Sequence, residues 1–177
     1  MIEITTPITD EVIKQLKVGD MISISGYIFC GRDAVLPKLV KLIKERERNL
    51  LVESLKGSVI FHTAVSPAGV GPTSSNKLEI ESSMEILSKA GVKLHLGKGS
   101  IKSETVKVLD ENNSVFAVIP PVTALLGSHT LEQECIAFPE LGMEAFYKLK
   151  VEHYPAIIGA AHGRSIYDEW KTDNWKS

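Results

Sequence analysis

Short apolar runs alternate with amphipathic segments over most of the chain, and this alternation constrains the fold more than any other feature. Apolar runs of strand length occur at residues 21–29, 57–65, 92–96 and 115–119. Segments with apolar residues at helical spacing precede or follow them, at residues 9–16, 34–48, 78–90 and 102–111. Strands that alternate with helices are typical of an α/β domain, and further short strands at residues 135–138, 147–152 and 156–161 predict a mixed sheet. A length of 177 residues fits one domain over residues 1–177.

Three loops that follow predicted strands each carry a cation. Arg32 follows the first strand, Lys77 follows the second, and Lys98 stands between two glycines after the third. Ligands of open α/β sheets bind at the carboxyl ends of the strands. If the strands are neighbours, the three cations converge on one crevice. A substrate with two carboxylates would suit such a crevice, because each desolvated anion needs a counter-charge.

The segment Gly71-Pro72-Thr73-Ser74-Ser75-Asn76-Lys77 is the most distinctive of these loops. Glycine and proline favour a turn, and the hydroxyl and amide groups that follow suit the start of a helix whose first N–H groups could hold an anion. The same residues would serve equally well as an ordinary helix cap. On this segment alone, the anion cradle and the cap remain alternatives.

Composition narrows the classes of function. The formal net charge of −2 and the pI near 6.2 argue against a nucleic-acid-binding protein. The longest apolar stretch, residues 115–126, is broken by Pro120 and Pro121 and is too short to span a bilayer, and residues 1–7 lack the pattern of a secretion signal. We therefore expect a cytoplasmic protein that does not bind membranes. Two cysteines do not make a disulfide framework or a metal pair.

The remaining motifs are weaker. Gly97-Lys98-Gly99 lacks the spacing of a phosphate-binding Walker loop, although a phosphate site built from strand and helix ends stays open. His62 and His95 lie within apolar strands and are expected to be core or rim histidines. His162 lies in a glycine-bearing turn after an apolar strand and is a further candidate functional residue.

Five stretches resemble one known family in order and spacing over nearly the whole chain. They are residues 25–34 (Ser-Gly-Tyr-Ile-Phe-Cys-Gly-Arg-Asp-Ala), 71–75 (Gly-Pro-Thr-Ser-Ser), 91–99 (Gly-Val-Lys-Leu-His-Leu-Gly-Lys-Gly), and Leu141-Gly142-Met143 together with Ala161-His162-Gly163. The family is the β subunit, or the corresponding C-terminal domain, of class I fumarate hydratase and L(+)-tartrate dehydratase. The resemblance implies a swivelling β/β/α domain and a hydro-lyase that hydrates or dehydrates a small dicarboxylate.

The resemblance also implies a cofactor, a partner and a set of site residues. The family's [4Fe–4S] cluster is held by three cysteines, which this chain cannot supply, so the cluster is expected on a partner α subunit in a hetero-oligomer. The implied roles are proton transfer for Thr73 and binding of substrate carboxylates for Arg32 and Lys98. Lys77 and three residues of the glycine-bearing loops complete the expected substrate site: Gly71, Ser74 and Gly97.

The sequence departs from the family pattern at several positions. Lys77 stands where arginine is usual, Val35-Leu36-Pro37-Lys38 replaces a segment with a histidine, His62-Thr63-Ala64-Val65 replaces His-x-Gly-Pro, and Ala160 replaces an aspartate. Lysine cannot form the two-pronged fork that arginine makes with a carboxylate. These departures favour a divergent enzyme subunit acting on another hydroxy-dicarboxylate. A non-catalytic dicarboxylate-binding or regulatory domain is the main alternative, and a self-sufficient phosphate-binding enzyme is a third.

Overall fold

The computed structural model describes residues 1–45, 48–66, 69–73, 77–119, 126 and 128–166, and at residues 66, 69–73 and 77–80 the description is of the backbone. The elements follow the order β1 (Ile2–Thr5), α1 (Asp10–Gln15), β2 (Met21–Cys30), α2 (Leu36–Lys44), α3 (Leu50–Glu53), β3 (Val59–Phe61), β4 (Thr63–Ser66), β5 (Gly69–Thr73), α4 (Lys77–Lys89), β6 (Leu94–Gly97), α5 (Ser103–Glu111), β7 (Val115–Val118), β8 (Thr130–Ala137), a 3₁₀ helix (Pro139–Glu144), β9 (Phe146–Ala161) and β10 (Arg164–Ser165).

The main sheet closes on itself. Strands β2, β3, β6 and β7 pair in that order and run parallel, and β7 then pairs antiparallel with β9. Strand β9 also pairs antiparallel with β2, so the hydrogen-bonded path returns to its first strand. Strands β1, β8 and β10 extend this ring, and β4 and β5 form a separate hairpin. The closed path is a small barrel, which leaves few strand edges unpaired.

Two apolar clusters cover the two faces of the barrel wall. One cluster comprises residues from every strand of the closed path together with α1 residues, and its largest fully buried members include Tyr154 and Phe61. The other cluster joins the outer face to helices α2, α4 and α5 and contains Phe29 and Phe146, whose rings stack with centroids 5.2 Å apart. Side chains that alternate along a strand therefore face two apolar environments, which explains the continuous apolar runs of the parallel strands.

The predicted α/β fold with a mixed sheet is confirmed, and the first helix begins as predicted, with Thr9 accepting a hydrogen bond from the N–H of Val12. The predicted strand over residues 57–65 is wrong in its continuity. The chain leaves the main sheet after Phe61, and residues from Thr63 onward form the hairpin with β5. Residues 71–73 belong to that hairpin and not to an isolated turn.

The separate strands predicted at residues 147–152 and 156–161 are one strand of 16 residues, β9. Proline at position 155 and a positive φ of 55° at His153 disturb the strand without ending it. Strand β2 absorbs the irregularity, because its register against β9 shifts between Ile24 and Gly26. The strand predicted at 135–138 is also longer and begins at Thr130. Among the described residues, no helix is both long enough and apolar enough to cross a membrane.

A substitution at Gly91, in the turn between α4 and β6, would test how closely this turn packs against Lys56. Its φ of +115° suits glycine, and a Cβ there would lie 2.7 Å from the Cα of Lys56. We expect Gly91→Ala to lower the free energy of unfolding by roughly 3 kcal/mol or more, because backbone strain and steric overlap add. Urea denaturation of the purified chain measures the change.

Gly19→Ala is the matched control for that substitution. Its φ is +90°, but a Cβ there would meet nothing within 4 Å. Backbone strain alone is expected to cost about 1–2 kcal/mol. Equal losses for the two variants would contradict the close approach of Gly91 to Lys56.

Candidate active site

One row of residues across the parallel strands aligns the loops that carry the predicted site. Cys30 pairs with Phe61, Phe61 with Leu96, and Leu96 with Ala117. Hydrogen bonds continue beyond the row, since the N–H of Gly31 donates to the Phe61 carbonyl and the N–H of His62 donates to the Leu96 carbonyl, both at 3.0 Å. The chain segments after β2, β3 and β6 therefore leave the same edge of the barrel side by side.

The predicted site residues Arg32, Thr73 and Lys98 all lie at this edge. Arg32 and Lys98 each stand two positions beyond the row, on the loops after β2 and β6. Thr73, the last residue of β5, pairs with Thr63, which stands two positions beyond the row after β3. Because β3 lies between β2 and β6, the segment that leads to Thr63, the strand partner of Thr73, leaves the sheet between the two cationic loops. Strand spacing puts those loops about 10 Å apart.

The other predicted substrate-binding residues belong to the same segments. Gly71 lies in β5, and Lys77 begins α4, the helix that follows the hairpin. Gly97 ends β6, and a Cβ there would lie 3.2 Å from the ring of Phe116. Ser74 lies outside the described residues.

Arg32 is held by a carboxylate that sequence reasoning missed. Glu144, at the end of the 3₁₀ helix, accepts a hydrogen bond from Arg32 Nε at 2.5 Å, and Arg32 Nη2 forms an ion pair with the same carboxylate oxygen, Oε1. This bond with Glu144 raises the pKa of Arg32 above its ordinary value. The two residues are 112 positions apart, so local pattern could not pair them. The one sequence signal is that Glu144 directly follows the Leu-Gly-Met stretch of the family resemblance.

This ion pair fixes the orientation of the Arg32 guanidinium. An arginine side chain has five N–H donors in one plane. Glu144 engages Nε and Nη2, so the Nη1 end of the fork points away from that contact. Arg32 is 27% exposed, and Asp33 lies 3.8 Å from its Nε. A carboxylate that approached the edge could therefore meet an arginine already oriented by a neighbour.

Two histidines lie buried beneath this edge. His62 Nε2 and His95 Nδ1 are 3.1 Å apart, their rings are 19° from parallel, and His95 Nε2 lies 2.9 Å from Ser88 Oγ on α4. Burial, with a smaller contribution from His62, holds the pKa of His95 well below its usual range, so the ring is neutral. The expectation that these residues are hydrogen-bonded core histidines is confirmed.

His162 lies at the opposite edge of the barrel from Arg32 and Lys98. It follows the last residue of β9, which is antiparallel to β2 and β7, and its Nε2 lies 2.7 Å from the carbonyl oxygen of Leu16 before β2. Its φ of 53° places it in the left-handed turn between β9 and β10. The structure therefore does not bring His162 together with the other predicted site residues.

The cysteines do not fit an iron–sulphur ligand set. Cys30 and Cys135 both pair with Tyr147 of β9, so they lie on opposite sides of that strand, about 10 Å apart. Cys30 is fully buried, which raises the pKa of its thiol and disfavours the thiolate that binds a metal. Within the described ranges, no group of three histidine, cysteine, aspartate or glutamate side chains could hold a metal ion. A three-cysteine cluster site cannot be assembled from these two residues.

The chain is similar to known proteins along most of its length. The L(+)-tartrate dehydratase subunit beta of Escherichia coli (strain K12) is 28% identical over 181 residues, which is 95% of this chain and 87% of that protein. A Methanocaldococcus jannaschii protein provisionally named L(+)-tartrate dehydratase subunit beta is 30% identical over 177 residues, 92% of this chain and 89% of that protein. The anaerobic class I fumarate hydratase of E. coli (strain K12) is 30% identical over 156 residues, 82% of this chain and 28% of that longer protein.

The chain thus spans most of the length of the two tartrate dehydratase subunits and less than a third of that fumarate hydratase. A family model described as Fumarase C-terminus matches residues 1–170. That match extends from β1 through β10 and includes every residue of the candidate site. The chain therefore belongs to the Fumarase C-terminus family.

Proposed function

We propose that this chain is the β subunit of a heteromeric iron–sulphur hydro-lyase that hydrates or dehydrates a small dicarboxylate of the fumarate/malate or tartrate/oxaloacetate type. The single observation that carries the proposal is the alignment of Arg32, Thr73 and Lys98 at one edge of the barrel. Family membership and the names of the relatives support the reaction class. The whole chain, residues 1–177, would act as one swivelling domain that closes over substrate.

The substrate's two carboxylates match the two cationic loops. Arg32, oriented by its ion pair with Glu144, would bind one carboxylate, and Lys98 would bind the other from the loop after β6. A separation of about 10 Å between the loops leaves room for a four-carbon diacid between them. Lys77 would add a third cation, and because it binds as a point charge it tolerates more than one carboxylate geometry.

Thr73 would transfer the proton. Dehydration of a 2-hydroxy dicarboxylate breaks a C–H bond and the C–O bond on the neighbouring carbon; a double bond forms between the two carbons, and the hydroxyl group takes up a proton and leaves as water. A threonine hydroxyl near both carboxylate-binding loops would be within reach of the carbon atoms of a substrate that spans them. Since an unaided hydroxyl is a weak base, a carboxylate of the partner would accept the proton from it.

The cluster would belong to an α subunit, because the two cysteines here do not form its ligand set. This chain's share is to bind and orient the substrate and to move one proton. Activity would therefore require both subunits, and the cytoplasm is the compartment we expect for the assembly.

Anaerobic affinity purification of the tagged chain from its native host tests this proposal. We expect a second protein to co-elute, with iron–sulphur absorbance and turnover of fumarate, malate or tartrate. The host carrying the tag alone serves as the control for adventitious binding. A colourless chain that elutes alone and still binds dicarboxylates would instead support a non-catalytic binding domain.

Substitution of Thr73 tests its proton-transfer role. Thr73→Val keeps the β-branched shape that suits a strand but lacks the hydroxyl, so we expect kcat to fall roughly 100-fold or more with KM within a few-fold. Thr73→Ser is the matched control and should retain most of the turnover, since it keeps the hydroxyl. Steady-state kinetics of the two-subunit enzyme measure both constants. An unchanged kcat for the valine variant would rule out the role.

Substitution of Glu144 tests the orientation of Arg32. Glu144→Gln keeps the shape of the side chain and removes its charge, which weakens a charge-assisted hydrogen bond, and we expect KM to rise about tenfold. Glu85→Gln is the control, because it makes the same chemical change in an exposed pair with Lys89 and should leave KM unchanged. Equal effects of the two variants would show that Glu144 does not act on Arg32.

A further inference from the structure

The buried side chains of Ser88, His95 and His62 are hydrogen-bonded one to the next directly beneath the candidate active site, and we call this series of three side chains the file. Ser88 Oγ lies 2.9 Å from His95 Nε2, and His95 Nδ1 lies 3.1 Å from His62 Nε2. Their exposed fractions are 3%, 0% and 1%, so the file is shielded from water over its whole length. Buried hydrogen bonds of this kind are costly to break, because a group left without its partner cannot turn to solvent instead.

Both hydrogen bonds of the file can form at the same time when each imidazole ring carries one N–H group. His95 can accept a hydrogen bond from the Ser88 hydroxyl and donate from Nδ1 to His62, or the direction of both bonds can be reversed. In either arrangement each of the two short contacts has one donor and one acceptor. Both contacts therefore hold at once, and His95 is fixed from two sides.

Each member of the file belongs to a segment that carries a residue of the candidate site. His62 immediately precedes Thr63, the strand partner of Thr73. His95 lies in β6, three positions before Lys98 of the loop that follows. Ser88 lies on α4, the helix that begins at Lys77 directly after the hairpin. The file thus connects the hairpin, the lysine loop and the helix below the point where they meet.

We propose that His62 and His95 are positioning residues that hold the Thr73 hairpin and the Lys98 loop at a fixed separation. The inference rests on the function proposed above, because the separation matters where one substrate must touch both loops. Apolar side chains of similar volume could fill this space, but they would lack directional bonds that tie the segment after β3 to β6 and α4 beyond the strand ladder. Two directional bonds through His95 define a single arrangement, and a shift of about 1 Å in a catalytic group can cost roughly 100-fold in rate.

Variants of His62 provide the principal test. His62→Gln places an amide near the position of Nε2 and keeps a hydrogen bond to His95, whereas His62→Leu removes it. Hydrogen exchange of the full chain, purified with whatever partner co-elutes, should show roughly tenfold faster exchange of hairpin amides in the leucine variant and near-normal exchange in the glutamine variant. Amides of β1 should be unaffected in both. Unchanged hairpin exchange in the leucine variant would overturn the proposal.

Kinetics give a second, independent result. In the active two-subunit enzyme, His62→Leu should lower kcat about 10- to 100-fold and raise KM as well, because both Thr73 and the substrate-binding Lys98 depend on the file, and His62→Gln should restore most of both losses. Equal kcat values for the two variants would overturn the positioning role. If the wild-type assembly has no hydro-lyase activity, the proposed function fails while the exchange measurements still decide whether the tie exists.

Two serines make a matched pair in case the leucine variant does not fold. Ser88 lies in the file, whereas Ser114 is equally buried but bonds the carbonyl of Val92 at the other end of the strands, at 2.6 Å. Both Ser→Ala changes remove one buried hydroxyl, so similar losses in thermal stability are expected. Only Ser88→Ala should accelerate hairpin exchange and lower kcat. The same effect from both variants would overturn the proposal.

Discussion

Parallel pairing in one common register is the constraint on which the rest of this structure depends. Because Cys30, Phe61, Leu96 and Ala117 stand in one row, the loops that follow their strands leave the barrel at the same height. The positive charges at this edge are then supplied by Arg32 and Lys98, which each stand two positions beyond the row. A slip of one residue in any strand would turn its side chains to the other face and would carry a cation away from the group.

Polar groups beneath and beside this edge are hydrogen-bonded to other side chains, and each contact removes a conformational freedom that would weaken a binding site. The carboxylate of Glu144 fixes the plane of the Arg32 guanidinium. The imidazole of His95 is fixed from two sides, by His62 and by Ser88. The Arg32–Glu144 pair joins residues 112 positions apart and the His62–His95 contact joins residues 33 positions apart, so both form only when separate segments of the chain have packed together. The site is therefore a property of the tertiary structure and not of any one loop.

The sequence predicted the fold class, the parallel strands and the edge on which Arg32, Thr73 and Lys98 lie, because period and apolar content are local signals. It did not predict the hairpin, because the apolar run through residue 65 carries no mark of the point where the chain leaves the sheet. It also predicted two strands where the structure has the single strand β9, because Pro155 is ordinarily a reason to end a strand. The Arg32–Glu144 pair depends on contacts between distant residues, which no single sequence reveals. The roles of all the predicted site residues remain predictions: Arg32, Gly71, Thr73, Ser74, Lys77, Gly97, Lys98 and His162.

The barrel can close only after β9 has been synthesised, because β9 follows in the chain both strands that it joins. The ring of strands that surrounds the inner apolar cluster is closed by residues 146–161, late in the chain. Until these residues emerge from the ribosome, β2 and β7 lack their common neighbour, and the inner faces of the parallel strands stay open to water. The nascent chain therefore exposes the inner apolar faces of the parallel strands until β9 has been made. Contact with a chaperone or early binding of a partner would protect these faces in that interval.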